Sequence, residues 1–170
     1  FGEFFSEFGA FDVKITLPSN YVVGATGVLQ NKEEIKFLEE KVEWTNDVIE
    51  NDEFNLDSDD DSFPASTDRL KTIHYKADNV HDFAWFADKR FYVQKSEVTL
   101  NSGAKVDTWT MFTDYEAGIW TEAVDYVNRS VLYYSERVGE YPYPHATAVQ
   151  SALSAGGGME YPMITVIGPS

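Results

Sequence analysis

Cysteine is absent from this sequence, which excludes disulfides and zinc–thiolate sites together. Cations are scarce: 13 Lys and Arg stand against 29 Asp and Glu, a net charge of −16. Nucleic acid and anionic membrane surfaces call for a basic face, so neither is expected as a partner. No apolar run approaches the ~20 residues that cross a bilayer, so no membrane-spanning segment is expected. Histidine occurs three times, as His74, His81 and His145, each in a different part of the chain.

What is present suffices for a packed core. The hydrophobic content is 43% and the aromatic content 15%, well outside the composition of a disordered chain. Val13, Ile15 and Leu17 alternate with Lys14 and Thr16, the period of a half-buried strand. Tyr21-Val22-Val23 and Val28-Leu29 read as the next strand, interrupted by Gly24 and Gly27. Over residues 32–50 the period changes: Ile35, Leu38, Val42 and Ile49 share one helical face, with Glu33, Glu34, Lys36, Glu40 and Lys41 mostly on the other. Strand patterns return in Thr72-Ile73-His74-Tyr75, in 81–86, in Arg90-Phe91-Tyr92-Val93 and in 106–110. His81 and Asp82 adjoin, but neighbouring strand residues point to opposite faces and cannot act on one atom.

A single long helix is predicted from about Tyr115. Trp120, Val124, Val127, Val131, Tyr134 and Val138 recur at helical spacing, and Gly139 supplies the stop. Asn128-Arg129-Ser130 matches a glycosylation acceptor and reads as coincidental within that helix. Residues 147–153 then form a strand. The order of elements defines a mixed α+β chain: a β-rich part over residues 1–105 with an inserted helix at 32–50, and a helix-plus-strand part over 106–170.

Residues 50–66 are an acidic loop, with seven acids from Glu50 to Ser62. Little burial offsets its ordering entropy, so it is expected to be the most mobile segment. Asp57, Asp59, Asp61 and Asp68 partly imitate a twelve-residue calcium loop. Ser62 replaces its glycine, Pro64 stiffens it, and Asp68 is short for the bidentate Glu, so solvation is the reading. A calcium-regulated adhesion domain would rest on this loop alone.

Near the C-terminus lies Gly156-Gly157-Gly158-Met159-Glu160-Tyr161-Pro162, followed by the strand-like run Met163-Ile164-Thr165-Val166-Ile167. Glycines permit close backbone approach. One carboxylate beside a β-run suits an edge strand that pairs with an extended peptide while Glu160 receives an ammonium.

Gly157-Gly158-Met159-Glu160-Tyr161 resembles the G-x-M-E-N signature of the aminopeptidase N family of zinc peptidases, the gluzincins. Residues 11–31 (FDVKITLPSNYVVGATGVLQN) resemble late strands of that family's N-terminal β-domain, and 79–88 (NVHDFAWFAD) its last part. Residues 133–144 (YYSERVGEYPYP) resemble the first helix of its catalytic domain. The resemblance implies the end of an antiparallel β-domain followed by the start of a peptidase catalytic domain. It also implies a substrate-binding role for Gly157, Gly158, Met159, Glu160 and Tyr161, with Glu160 taking the free α-amino group of a peptide. Tyr161 departs from the motif's Asn.

The family's zinc motif, H-E-x-x-H with a later Glu, is not in the sequence. None of the three histidines is followed by Glu. The chain is therefore expected to be a piece of a larger zinc aminopeptidase, acting on peptides with a free N-terminus, with zinc in the parent enzyme and none in this chain. The competing reading is a non-catalytic peptide-binding or interaction module of β-sandwich type. The 170-residue chain is expected to bind no stoichiometric zinc and to cleave no aminoacyl reporter. One zinc per chain by metal analysis, with activity lost to a chelator, would overturn that expectation.

Overall fold

A computed structural model describes residues 6–54, 63–153 and 157–169. The strands and helices in chain order are β1 (Gly9–Pro18), β2 (Val22–Ala25), β3 (Val28–Leu29), α1 (Lys32–Asn51), β4 (Leu70–Val80), β5 (Trp85–Asp88), β6 (Tyr92–Thr99) and β7 (Lys105–Phe112). They continue with α2 (Ala117–Trp120), α3 (Ala123–Arg137), β8 (His145–Gln150), β9 (Gly158–Tyr161) and β10 (Ile164–Ile167). The chain is mixed α+β. Positions 55–62 of the acidic loop, with Asp57, Asp59 and Asp61 of the calcium-like pattern, lie outside the described residues.

The alternation in β1 is used as the sequence suggests. Val13, Ile15 and Leu17 face Tyr75, Ile73 and Lys71 of β4 in an antiparallel sheet ordered β1-β4-β3. β2 pairs with β5 and behaves differently, since all four of its residues are buried. Val23 and Ala25 pack on Ile15, Ile73 and Tyr75, whereas Val22 turns the other way onto Met111, Val149 and Ile164. A strand buried on both faces needs a continuous apolar run rather than an alternating one, and Val22-Val23-Gly24-Ala25 is such a run.

The second core belongs to a five-stranded sheet ordered β6-β7-β8-β10-β9, with parallel pairs β7–β8 and β8–β10 and antiparallel pairs at both ends. It runs across position 105, because β6 precedes that point and pairs with β7 beyond it. The β2–β5 layer covers one face, and α2 with α3 covers part of the other. α1 runs along the outer edge of β6: Leu38 enters the core on one face and Val48 that on the other. Between them the Thr45 hydroxyl accepts the Val93 N–H at 2.8 Å. This edge is closed by a helix, one of the ways sheets avoid edge-to-edge association.

Several expectations change. The long helix is two, α2 and α3, joined by a turn at Thr121-Glu122. Ala117 and Trp120 are drawn onto Phe112 and Ala148, and the Thr121 carbonyl accepts from the Gln94 side chain at 2.8 Å. The strand expected over 81–86 is shorter: β4 ends at Val80 and β5 begins at Trp85. The strand expected over 147–153 is β8, His145–Gln150. The buried stripe of α1 is also displaced, to Glu34, Leu38, Thr45 and Val48, leaving Ile35 exposed.

Glu34, expected among the outward-facing charges, is buried because it meets Lys71 of β4. The Nζ–Oε1 distance is 2.7 Å, with side chains only 7% (Glu34) and 16% (Lys71) exposed. The Lys71 ammonium also lies 4.1 Å above the Phe37 ring. Burial raises the Glu34 carboxyl above its ordinary value and lowers the Lys71 ammonium, in each case against the pull of the partner. Desolvation therefore outweighs attraction, and the pair is costly to break rather than a source of stability. Lys71→Met alone is expected to lose about 3–5 kcal/mol by stranding the carboxylate. Glu34→Leu combined with Lys71→Met should melt at or above the wild-type temperature, as differential scanning calorimetry of the three proteins would read directly.

Candidate functional site

The glycine-rich stretch becomes an edge strand. β9 is the last strand of the five-stranded sheet, and among the described residues only β10 lies beside it. Gly157 enters it at φ +73°, a left-handed conformation that side chains rarely adopt, and its carbonyl accepts the Gly168 N–H at 2.8 Å. A Cβ on Gly158 would stand 3.0 Å from the Val166 carbonyl oxygen, so the close approach made by that glycine is to its own sheet. Gly156 lies outside the described residues.

The register assigns the side chains to two faces. Met159 lies opposite Val166 and Tyr161 opposite Ile164, while Glu160 lies opposite Thr165. Because direct partners project to the same side, Tyr161 goes with Ile164 toward the β2–β5 layer. There it packs with the core around Val22 and lies 6.3 Å from Phe86, centroid to centroid. Glu160 and Thr165 share the opposite face, that of α2 and α3. The Glu160 carboxylate is exposed, and no cation among the described residues forms an ion pair with it. On this same face lies an apolar groove of about 490 Å³, lined by Ile119, Tyr126 and Val127 on the helix side and by Ala148, Thr165 and Ile167 on the sheet.

The turn joining β9 to β10 is Pro162-Met163. Met163 adopts φ +66°, where glycine would be the usual choice, and is 5% exposed among Ala77, Val80, Phe11 and Tyr143. Its carbonyl accepts the Thr147 N–H at 2.9 Å. The Pro162 carbonyl accepts the hydroxyl of Thr26 at 2.9 Å. Thr26, Met163 and His145 were not singled out from sequence. A non-glycine residue at a tight turn gives no warning of its conformation, and Thr26 and Pro162 stand 136 positions apart.

The histidines do not converge. His74 Nε2 bonds Asp12 Oδ1 at 2.7 Å on β1 and β4. His81 stands edge-on to Phe8, centroids 5.4 Å apart, while Asp82 accepts the Phe83 N–H at 2.8 Å. His145 is held by the Gly27 carbonyl and the Thr147 hydroxyl. Among the described residues no three His, Asp or Glu side chains form a metal-binding group. The donor set of a zinc peptidase is not assembled among the described residues. Asn128 is likewise engaged: its side chain donates to Ser96 Oγ at 3.1 Å and accepts from the Thr108 hydroxyl.

With this geometry in hand, likeness to known proteins is informative about fold. No protein-family profile and no curated protein matches the sequence. Among solved structures, the chain is similar to the M1 zinc metallopeptidase from Deinococcus radiodurans, with a TM-score of 0.59 and 14% identity, over 96% of this chain and 31% of that one. A variant from the same organism bound to a Tyr-Ser-Ala substrate gives a TM-score of 0.60 at 14% identity, over 95% and 30%. A two-domain M1 zinc metallopeptidase variant bound to L-arginine gives 0.60 at 14% identity, over 96% and 31%. The fold is shared with these zinc metallopeptidases, of whose length the chain spans about a third.

His145 is expected to carry a pH dependence whose sign is set by its burial. A carbonyl only accepts, so Nε2 holds the proton toward Gly27 at 2.8 Å and Nδ1 accepts from Thr147 at 3.0 Å. Burial lowers its pKa below the ordinary 6.5, against the Gly27 carbonyl and Asp107, which raise it. A base with a lowered folded-state pKa is protonated first in the unfolded chain. Its stabilisation is complete above pH 6.5 and is lost as pH falls below that value. Relative to His145→Gln, wild type should lose up to about 1.4 kcal/mol more per pH unit on going from pH 7 toward pH 5. Urea melts of both proteins across that range would measure the difference.

Proposed function

We propose that this chain forms the substrate-anchoring part of a zinc metallo-aminopeptidase, in which Glu160 binds the free α-ammonium group of a peptide. The observation that carries the reading is an exposed carboxylate that has no cation partner among the described residues, held on a strand that those residues pair on one side only. An extended peptide can add to such an edge by main-chain pairing along Gly157, Gly158 and Met159. In this orientation its first residue would end beside Glu160. A carboxylate at the end of a paired strand selects for a charged amine, because an acylated N-terminus leaves it desolvated and unmatched.

Three further observations support this. The segment matches the G-x-M-E signature at Gly157, Met159 and Glu160, and the shared fold is that of zinc metallopeptidases. The ligands named for two neighbouring structures, L-arginine and Tyr-Ser-Ala, each offer a free α-amino group. In our reading Tyr161 contributes through its backbone, since its ring turns to the core side, and the Asn-to-Tyr departure leaves the Glu160 face unaltered. Zinc, supplied elsewhere in the parent enzyme, would activate water for the hydrolysis. The residues of this chain bind and orient. We also propose that the unit containing the site begins near residues 89–91, because β6 belongs to the site's sheet.

Glu160→Gln tests the reading in the full-length enzyme. Catalytic efficiency on a free-amine dipeptide should fall by about 2–5 kcal/mol, while efficiency on its N-acetyl counterpart and the melting temperature hardly change. Equal use of both substrates by wild type, or undiminished free-amine preference in the variant, would exclude Glu160 as the anchor.

A further inference from the structure

β9 is four residues long and, among the described residues, is paired on one side only, so pairing by itself leaves its position weakly determined. Its far end is nevertheless fixed from another part of the fold. Thr26 is fully buried between β2 and β3. Its N–H donates to the Ala84 carbonyl at 2.9 Å, and the Ala84 N–H donates back to Thr26 Oγ1 at 3.1 Å. Since Oγ1 accepts that proton, its own hydroxyl proton is directed at the Pro162 carbonyl, 2.9 Å away. Pro162 is two residues beyond Glu160.

The next residue repeats the device. Gly27 has φ +95°, and a Cβ there would lie 2.7 Å from the Lys76 carbonyl oxygen. Only glycine turns the chain at this point, and the turn aims the Gly27 carbonyl at His145 Nε2, 2.8 Å away, at the start of β8. β8 holds β10, and β10 holds β9. One dipeptide between β2 and β3 therefore grips the site's sheet at two points, one on the hairpin and one on a neighbouring strand. Met163 adds a third, with its side chain seated between Ala77 and Val80.

We propose that Thr26 is a positioning residue for Glu160, its hydroxyl setting where the β9–β10 hairpin, and with it the carboxylate, meets the peptide's amine. The proposal rests on the anchoring role of Glu160 and adds a residue remote in sequence that contacts no substrate. It assigns the hydroxyl, rather than the bulk of the side chain, as the working group.

Thr26→Val keeps the volume and removes the hydroxyl, whereas Thr26→Ser keeps the hydroxyl and loses a methyl group. In the full-length enzyme, Thr26→Val should raise KM for free-amine dipeptides at least tenfold with kcat changed less than threefold, and Thr26→Ser should restore KM to within threefold of wild type. Hydrogen exchange on the same proteins should show β9 and β10 amides exchanging at least tenfold faster in Thr26→Val, with β6 and β7 unaffected. A purely packing role would instead harm Thr26→Ser and spare Thr26→Val, and that outcome overturns the proposal. So does unchanged exchange of β9 and β10 in Thr26→Val. If Thr26→Val does not fold, Thr26→Ser decides: a KM within threefold of wild type with unchanged β9 exchange supports the hydroxyl, and loss of either rejects it. Glu160→Gln run in parallel separates the two ideas. Undiminished free-amine preference there removes the anchor, whereas the exchange pattern tests the tether on its own.

Discussion

The arrangement depends on β2 being buried on both faces. Val22 and Val23 are adjacent, fully buried and directed into different cores. One apolar strand thus joins the three-stranded sheet to the five-stranded one, and neither can move away without exposing a valine. Each such side chain contributes about 1.5–3 kcal/mol by its burial. Everything distinctive at the site's far edge is positioned relative to this layer: Thr26 and Gly27 directly follow β2, and their bonds reach Pro162 and His145.

A shared core of this kind forces polar groups inside, and the fold satisfies them. Thr45, Gln94, Thr110 and Gln150 are buried. Thr45 closes the β6 edge, Thr110 donates to Gln94, and Gln150 accepts from Thr113 while donating to the Tyr115 carbonyl. Among the described residues no buried side-chain polar atom lacks a partner. Such networks are rigid when complete and expensive when broken. The two edges of the five-stranded sheet differ accordingly. β6 is capped by α1 and a threonine hydroxyl, while β9 is paired on one side only among the described residues and carries an exposed carboxylate.

Much of the secondary structure was legible because its signals are local. The alternation of Val13, Ile15 and Leu17 marks β1, and the change of period at residue 32 marks α1, which ends at Asn51. The misreadings have a common origin in distant partners. Glu34 looked like an outward charge until Lys71, 37 positions away, drew it inward. The helix expected from Tyr115 broke at Thr121 because Gln94, a strand away, takes its carbonyl. His81 lies beyond the end of β4, so the strand geometry used to dismiss its pairing with Asp82 does not apply. The dyad fails instead because Asp82 binds the Phe83 amide.

By itself the sequence determined the periodicities, the acidic excess, the lack of thiolate chemistry and the G-x-M-E run with its lone carboxylate. Tertiary structure alone decided that Tyr161 takes the core side, that Thr26 and Met163 hold the β9–β10 hairpin, and that Gly27 holds β8 through His145. The physical reason is range. A backbone period reports which side of an element meets water, and it is written into neighbouring residues. Which buried hydroxyl meets which carbonyl across 136 positions depends on how separate layers pack, and no local pattern records that.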